Sequence, residues 1–283
     1  MFEQRDALIR LLRDDDPATV DLIKEQLTTS GPAILGDLRD LLESDDEKVS
    51  LHVSEMIAEI EKQQACGEFA SFCRHFDEAN GIEPAAWLLS AAMIPGFDSK
   101  SYRAKLDSWG RQVRLLLESA ISDRERVEIL SKFMSEHLSF RGNADDYYNP
   151  RNSFLPTVID TRSGIPITLS VLYMLVAQRA GMLVEGVNLP GHFIARHREV
   201  FFDPFHQGKI LSLADCREIL DRQNLEIEPS HFATATNLHI LVRILANLLF
   251  IYERQNDIDM QTRILDWLAA LDRKSGRKYP GAE

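Results

Sequence analysis

Apolar positions along this chain keep helical spacing over most of its length and change to strand-like alternation in one late stretch. The most apolar segment is GIPITLSVLYMLVAQRAG (164–181). Pro166 suits its first turn, where a missing N–H costs nothing, and Gly181 suits its C-terminal cap. Arg179 is the only charge between them, and apolar residues occupy every face. The pattern predicts a helix buried on all sides at the centre of a core. It is too short to cross a bilayer.

After this helix the period shortens. LVEGVNL (183–189), HFIAR (192–196) and EVFFD (199–203) read as strands, with Pro190-Gly191 turning the chain. If His197-Arg198 forms a two-residue hairpin turn, Arg196 pairs with Glu199, and counting outward sets His192 opposite Asp203. Opposed residues on one sheet face have Cβ atoms about 5 Å apart, within reach of a carboxylate–imidazole hydrogen bond. A one-residue slip would turn one of the pair to the other face. KILSL (209–213) then reads as an edge strand, and Ser212 with Asp215 three residues on is a capping signature that opens a helix.

Upstream, LIRLLRDDDPATV (8–20) is echoed by LRDLLESDDEKVS (38–50). Leu8, Leu11 and Leu12 fall on Leu38, Leu41 and Leu42, and Asp15 and Asp16 on Asp45 and Asp46. Helix, acidic turn and apolar helix in repetition resemble HEAT-type hairpins over residues 1–62. Residues 63–140 continue helical. Trp87, Leu88, Ala91 and Ala92 share one face, and Val113, Leu116, Leu117 and Ile121 another, while Asp107–Gly110 reads as either helix interior or turn. RGNADDYYNPRNSF (141–154) is a loop by its Gly, Asn, Asp and Pro content. From Ala235 to about Arg273 two striped helices flank a turn at 255–258, a hairpin of tetratricopeptide-like length, and the tail SGRKYPGAE is expected to fray. The segments expected are therefore 1–62, a core at 63–225 with a helical lead-in, and a C-terminal hairpin at 226–283.

Charge narrows the function. The 283 residues carry a formal net charge of -12, with no unbroken block of like-charged residues longer than Asp14, Asp15 and Asp16. That argues against nucleic acid, which needs clustered cations to displace counterions, and against an anionic membrane surface. A peptide or protein partner is expected instead. Three cysteines, Cys66, Cys73 and Cys216, are too few and too irregular for a disulfide framework or a zinc site. MFEQRDALIRLL places charges where a signal peptide needs an apolar run, so a cytoplasmic protein is expected.

His192 with Asp203 is the half of a catalytic triad that holds and polarises the base. The alternative is a histidine that satisfies a polar group in the sheet. A nucleophile is harder to find. Thr168 and Ser170 lie too far into the helix, Cys216 lies on another helix, and Ser153 in the preceding loop is the one conceivable hydroxyl. His192, Asp203 and His206, with His197, offer metal-ligand chemistry, but no HxH or HxxxH spacing accompanies them, so neither metal nor cofactor is expected.

The segments DDYYNPRNSFLPTVIDTRSGIPITLSVLYMLVAQRAG, VEGVNLPGHFIARH and FFDPFHQG, in this order, resemble the bacterial SirB-type branch of the transglutaminase-like superfamily, over about Trp87 to Leu220. The resemblance implies an α+β fold: a papain/transglutaminase-like core, with a central helix packed on a small antiparallel sheet between helical flanks. It also implies a triad cysteine at the helix start, with histidine and aspartate on neighbouring strands. Carried over, these positions are Pro166, His192 and Asp203. Proline has no group with which to attack. Two functions are then in view. One is a non-catalytic peptide- or protein-binding module. The other is a hydrolase or acyltransferase using His192 as general base, with Tyr147, Tyr148, Asn149, Asn152, Ser153 and His206 lining the site.

Overall fold

The computed structural model describes residues 5–42, 46–94, 96 and 98–275. The expected frayed tail from residue 276 onward, and Asp45 of the repeat, lie outside the described residues. The chain divides into two compact units, residues 1–71 with 91–97, and residues 72–90 with 98–283.

The first unit is helical: α1 (Arg5–Leu12), α2 (Pro17–Thr29), α3 (Leu35–Leu42) and most of α4 (Glu47–Arg74). Leu8, Leu12, Leu38, Leu41, Val49, Val53, Met56 and Ile60 form its core. The repeat is expressed in its caps. Asp16 accepts from the backbone N–H of Ala18 at the start of α2, and Asp46 accepts from Lys48 and Val49 at the start of α4, which satisfies N–H groups that a helix start otherwise orphans. It is not kept in the packing. Leu12 is buried where its counterpart Leu42 is exposed, and Leu41 is buried where Leu11 is exposed.

In the second unit, α5 (Ile82–Met93), α6 (Ser99–Leu117) and α7 (Asp123–Lys132) lead into β1 (Arg141–Gly142), α8 (Leu155–Thr161) and β2 (Ser163–Gly164). The central helix α9 (Pro166–Arg179) follows, and eleven of its residues are buried. Its one cation is neutralised: Arg179 is held by Glu83 at 2.8 Å and by Asp107 at 2.6 Å. Gly181, at φ 78°, takes the left-handed turn that ends it. Asp107–Gly110 proves to be helix interior, within α6. Leu116 and Ile121, expected on a buried face, are exposed, while Val113 and Leu117 of that set are buried. α6 ends at Leu117, so the periodicity has no meaning at Ile121.

Four antiparallel strands follow in sequence order: β3 (Glu185–Val187), β4 (Ile194–His197), β5 (Val200–Asp203) and β6 (Lys209–Leu211). One face of the sheet meets α9, where the Phe202 and Tyr173 rings lie 6.2 Å apart. On the other, Val187, Leu189, Ile194 and Leu211 cluster with Cys216 of α10 (Leu213–Asp221). Ser212 and Asp215 form the capping box that the spacing predicts. α11 (Asn237–Gln255) and α12 (Ile258–Ser275) make the hairpin, turning at Asn256 with φ 55°. This hairpin belongs to the same compact unit as the sheet. α11 packs on α9 and on the turn before α8. An amphipathic hairpin of this length buries its stripe on the nearest apolar surface, which here is the core itself.

Candidate functional site

The hairpin turn between β4 and β5 is one residue later than the count from His197-Arg198. His197 pairs with Val200 and Arg196 with Phe201, so the turn residues are Arg198 and Glu199. Arg198 takes φ 51°, the left-handed conformation such a turn demands. Arg196 consequently stands opposite Phe201 and not Glu199, and on its other side its guanidinium donates to Glu185 of β3 at 2.9 Å. The ladder so extended would set Ile194 opposite Asp203 and make His192 its diagonal neighbour. The shift moves each residue's opposite partner by two positions, so the parity of side-chain direction is kept. His192 Nε2 reaches Asp203 Oδ2 at 2.7 Å.

The two residues are held by different devices. His192 precedes β4, at the end of the Pro190-Gly191 turn, where its N–H donates to Leu189. Asp203 ends β5 and caps the short 3-10 turn Pro204–His206. Its Oδ1 accepts from the N–H groups of Phe205, at 2.9 Å, and His206, at 3.4 Å. Its Oδ2 accepts from two imidazoles, those of His192 and His206, each at 2.7 Å. The Asp203 side chain is 3% exposed, that of His192 14% and that of His206 62%. Burial pushes the Asp203 carboxyl up, but hydrogen bonds and charge from His192, then His206, outweigh it and hold the group below the usual carboxylate range. An ionised carboxylate only accepts, so both imidazoles present N–H to it.

A cavity of about 260 Å³ opens beside these groups, lined by Gly191, His192, Asp203 and His206 together with residues of β6 and α10. Asp215, Glu218, Ile219 and Arg222, at helical i, i+3, i+4 and i+7 spacing, present one face of α10 and its cap to it. Lys209 is tied to Asp215 at 2.6 Å. Sequence reasoning left these lining residues out. Their signal, a polar stripe on the helix that Ser212 caps, is also what a solvated helix face looks like.

The loop expected to line the site does something else. Asn149 caps the turn Pro150–Ser153 by accepting from Arg151, and donates to Asp146. Asn152 is buried, donating to the carbonyls of Asp146 and Tyr147 and accepting from Asn143. These two asparagines fold the loop onto itself. Tyr148 packs on Phe250 and beneath the Arg254 guanidinium. Tyr147 comes nearer, its ring 6.1 Å from that of Phe205, which in turn lies 6.1 Å from the His192 ring. None of the four lines the cavity. Ser153, the one hydroxyl the loop offered as a nucleophile, is 4% exposed, and its hydroxyl has no hydrogen-bond partner among the described residues. His197 is no hairpin tip either. It is buried at the end of β4, with Nδ1 2.6 Å from the Leu183 carbonyl, and stands outside the His192–Asp203–His206 group.

Pro166 is buried at the first position of α9. β2, two residues before it, pairs with β1, and Gly142 of β1 lies so close to Phe205 that a Cβ there would meet the ring at 2.6 Å. This chain of contacts draws the Pro204–His206 turn to the start of α9. The family model described as transglutaminase-like superfamily matches residues 100–246, which contain the whole of this arrangement. The chain belongs to the transglutaminase-like superfamily. It is 32% identical over 206 residues to a UPF0162 protein of Xylella fastidiosa, covering 69% of this chain and 73% of that one. It is also 32% identical over 172 residues to a UPF0162 protein of Pseudomonas aeruginosa, covering 59% and 63%. F-box only protein 21 of Mus musculus is 28% identical over 151 residues, 49% of this chain but 23% of the mouse protein. No solved structure matches the chain.

Within this superfamily core, thiol chemistry has no resident group at Pro166. The three cysteines are buried. Burial pushes the Cys73 thiol up to about 12. Burial, with the Asp215 and Asp203 carboxylates, pushes that of Cys216 up to about 11. Both are held as thiols, the form that does not attack.

Proposed function

We propose that the chain is a non-catalytic, transglutaminase-like binding module that takes a segment of a peptide or protein partner at the His192 cavity. The observation that carries this reading is Pro166 at the helix start, where the superfamily resemblance sets the nucleophile. No other thiol is poised to replace it. The His192–Asp203 pair then serves recognition. The buried carboxylate fixes the imidazole's orientation and points its other nitrogen at an incoming group, and Nδ1 of His192 makes no hydrogen bond among the described residues. The cavity suits a single side chain, and the net charge of -12 suits a basic partner. The mouse match, where a comparable stretch is under a quarter of a longer protein, is in keeping with a module. Among the described residues no helix is long and apolar enough to cross a membrane, and a cytoplasmic setting belongs to this reading.

The same free Nδ1 favours a second reading, in which His192 acts as general base on water or on a substrate's own nucleophile. One assay separates the two. Wild type and His192→Ala are compared for hydrolysis and amine transfer on ester, amide and glutaminyl substrates, with circular dichroism to check folding. The binding reading expects no turnover from either protein. Turnover lost in a folded His192→Ala variant establishes the general base instead. A companion variant, Pro166→Cys, is expected to gain no iodoacetamide-sensitive amidase activity, because a thiol alone supplies neither an open approach nor stabilisation of the oxyanion. Amide hydrolysis that appears in Pro166→Cys and is abolished by iodoacetamide would mean that the remainder of the catalytic apparatus is intact.

A further inference from the structure

We infer that His192, Asp203 and His206 form a binding site for a divalent transition-metal ion of the zinc class, with an open coordination position at the cavity. This goes beyond the peptide-binding reading and does not depend on it. Sequence spacing hides the site, since His192 and His206 are fourteen residues apart and on different turns. The fold delivers both to one oxygen. His192 Nε2 and His206 Nδ1 each lie 2.7 Å from Asp203 Oδ2, and one ligand atom from each of the three residues falls within 4.8 Å of the others.

Two imidazoles and a carboxylate are a donor set that zinc and its neighbours favour. In a tetrahedral zinc site with bonds of about 2.0–2.1 Å, ligand atoms stand about 3.3 Å apart. An ion can therefore enter once the two N···O contacts spread by roughly half an ångström and the two ring nitrogens, within 4.8 Å of each other, come to the same spacing, changes that side-chain torsions absorb. His206, mostly exposed, is free to make it.

At present both imidazoles donate to the carboxylate, so the ion must meet them in the other tautomer. The Nε2 proton of His192 moves through solvent to Nδ1, and the Nδ1 proton of His206 moves to Nε2. The ring atoms that receive the protons make no hydrogen bond among the described residues, so none is broken there. The carboxylate is already oriented. Oδ1 is fixed by the N–H groups of Phe205 and His206, the kind of outer support that ligating carboxylates receive, leaving Oδ2 for the ion. Asp203 carries the one formal negative charge of the set, and burial keeps competing water from it. Three protein ligands leave a fourth position, and these three residues line the cavity of about 260 Å³. A closed structural site would have used four.

The test is equilibrium dialysis of the full chain, without a histidine tag, against zinc chloride, followed by metal analysis. Replacing zinc with Co(II) reports tetrahedral geometry by its visible absorption. One Zn(II) per chain is expected. The expected loss in His206→Ala is about tenfold or more in affinity, with an intact fold, because His206 is at the surface and its removal leaves the His192–Asp203 bond in place. His52→Ala, a histidine of the first unit, is expected to bind as wild type. The proposal is overturned by a wild-type chain that retains no zinc, or by His206→Ala retaining zinc with unchanged affinity and unchanged Co(II) absorption.

Discussion

Asp203→Ala is expected to destabilise the second unit by about 3–5 kcal/mol, the cost of removing one partner from a buried, hydrogen-bonded polar group. Four donors converge on this carboxylate: two backbone N–H groups on one oxygen and two imidazoles on the other. Alanine orphans them together, in a place too buried for water to replace every bond. Asp203→Asn keeps an acceptor for the backbone groups but turns an N–H₂ toward imidazoles that are themselves donors. A smaller loss, about 1–3 kcal/mol, is expected. Urea unfolding at neutral pH checks both values.

The pH dependence follows from the sign of the shift. Asp203 is held below its ordinary value in the folded state, so the unfolded chain takes up its proton first on acidification. Its contribution is present above the unfolded pKa, about pH 4, and is lost as pH falls through the lower folded value. The stability gap between wild type and Asp203→Asn should therefore close in acid. A gap that stays constant well below about pH 4 would mean that the carboxylate's charge contributes nothing.

Gly110→Ala is expected to be the second large effect, about 1–3 kcal/mol of destabilisation, read as a fall of several degrees in the thermal midpoint. In an exposed helix interior the same change would stabilise by about 1 kcal/mol. Here α6 crosses α9 at this residue. A Cβ on Gly110 would sit 2.2 Å from the Cβ of Arg179 and 3.1 Å from its backbone carbonyl carbon. The obstacle is backbone and the first side-chain carbon, neither of which can swing away, so the helices must separate. Separation would also loosen Arg179 from Asp107, which lies on the same stretch of α6. The clash outweighs the propensity. Gly110→Ala with an unchanged or raised midpoint would show that the crossing yields without cost.

Much of this was legible in the residues. The buried helix at 166–179, the strands after it, the Ser212–Asp215 cap and the His192–Asp203 pairing each rest on a local signal: an apolar run, a period, a three-residue spacing, a parity. Register was less secure. Which residues turn a hairpin depends on which can adopt a left-handed backbone, and Arg198 adopts it here with no glycine or asparagine to announce it. The pairing survived because the shift preserved side-chain parity. The expectation for the loop at 141–154 fared worse. Asparagine and tyrosine read equally well as ligand contacts or as loop-internal hydrogen bonds and packing, and nothing local separates the two.

By itself, then, the sequence determined the central helix, the strands that follow it and the Ser212–Asp215 cap, because each follows from chemistry within a few residues along the chain. Tertiary structure alone decided that His206 joins them on a single oxygen, that α10 walls the cavity, that Gly110 is a crossing point and that Ser153 is sealed inside. Those facts depend on distances between segments far apart in sequence, which packing sets and periodicity does not encode.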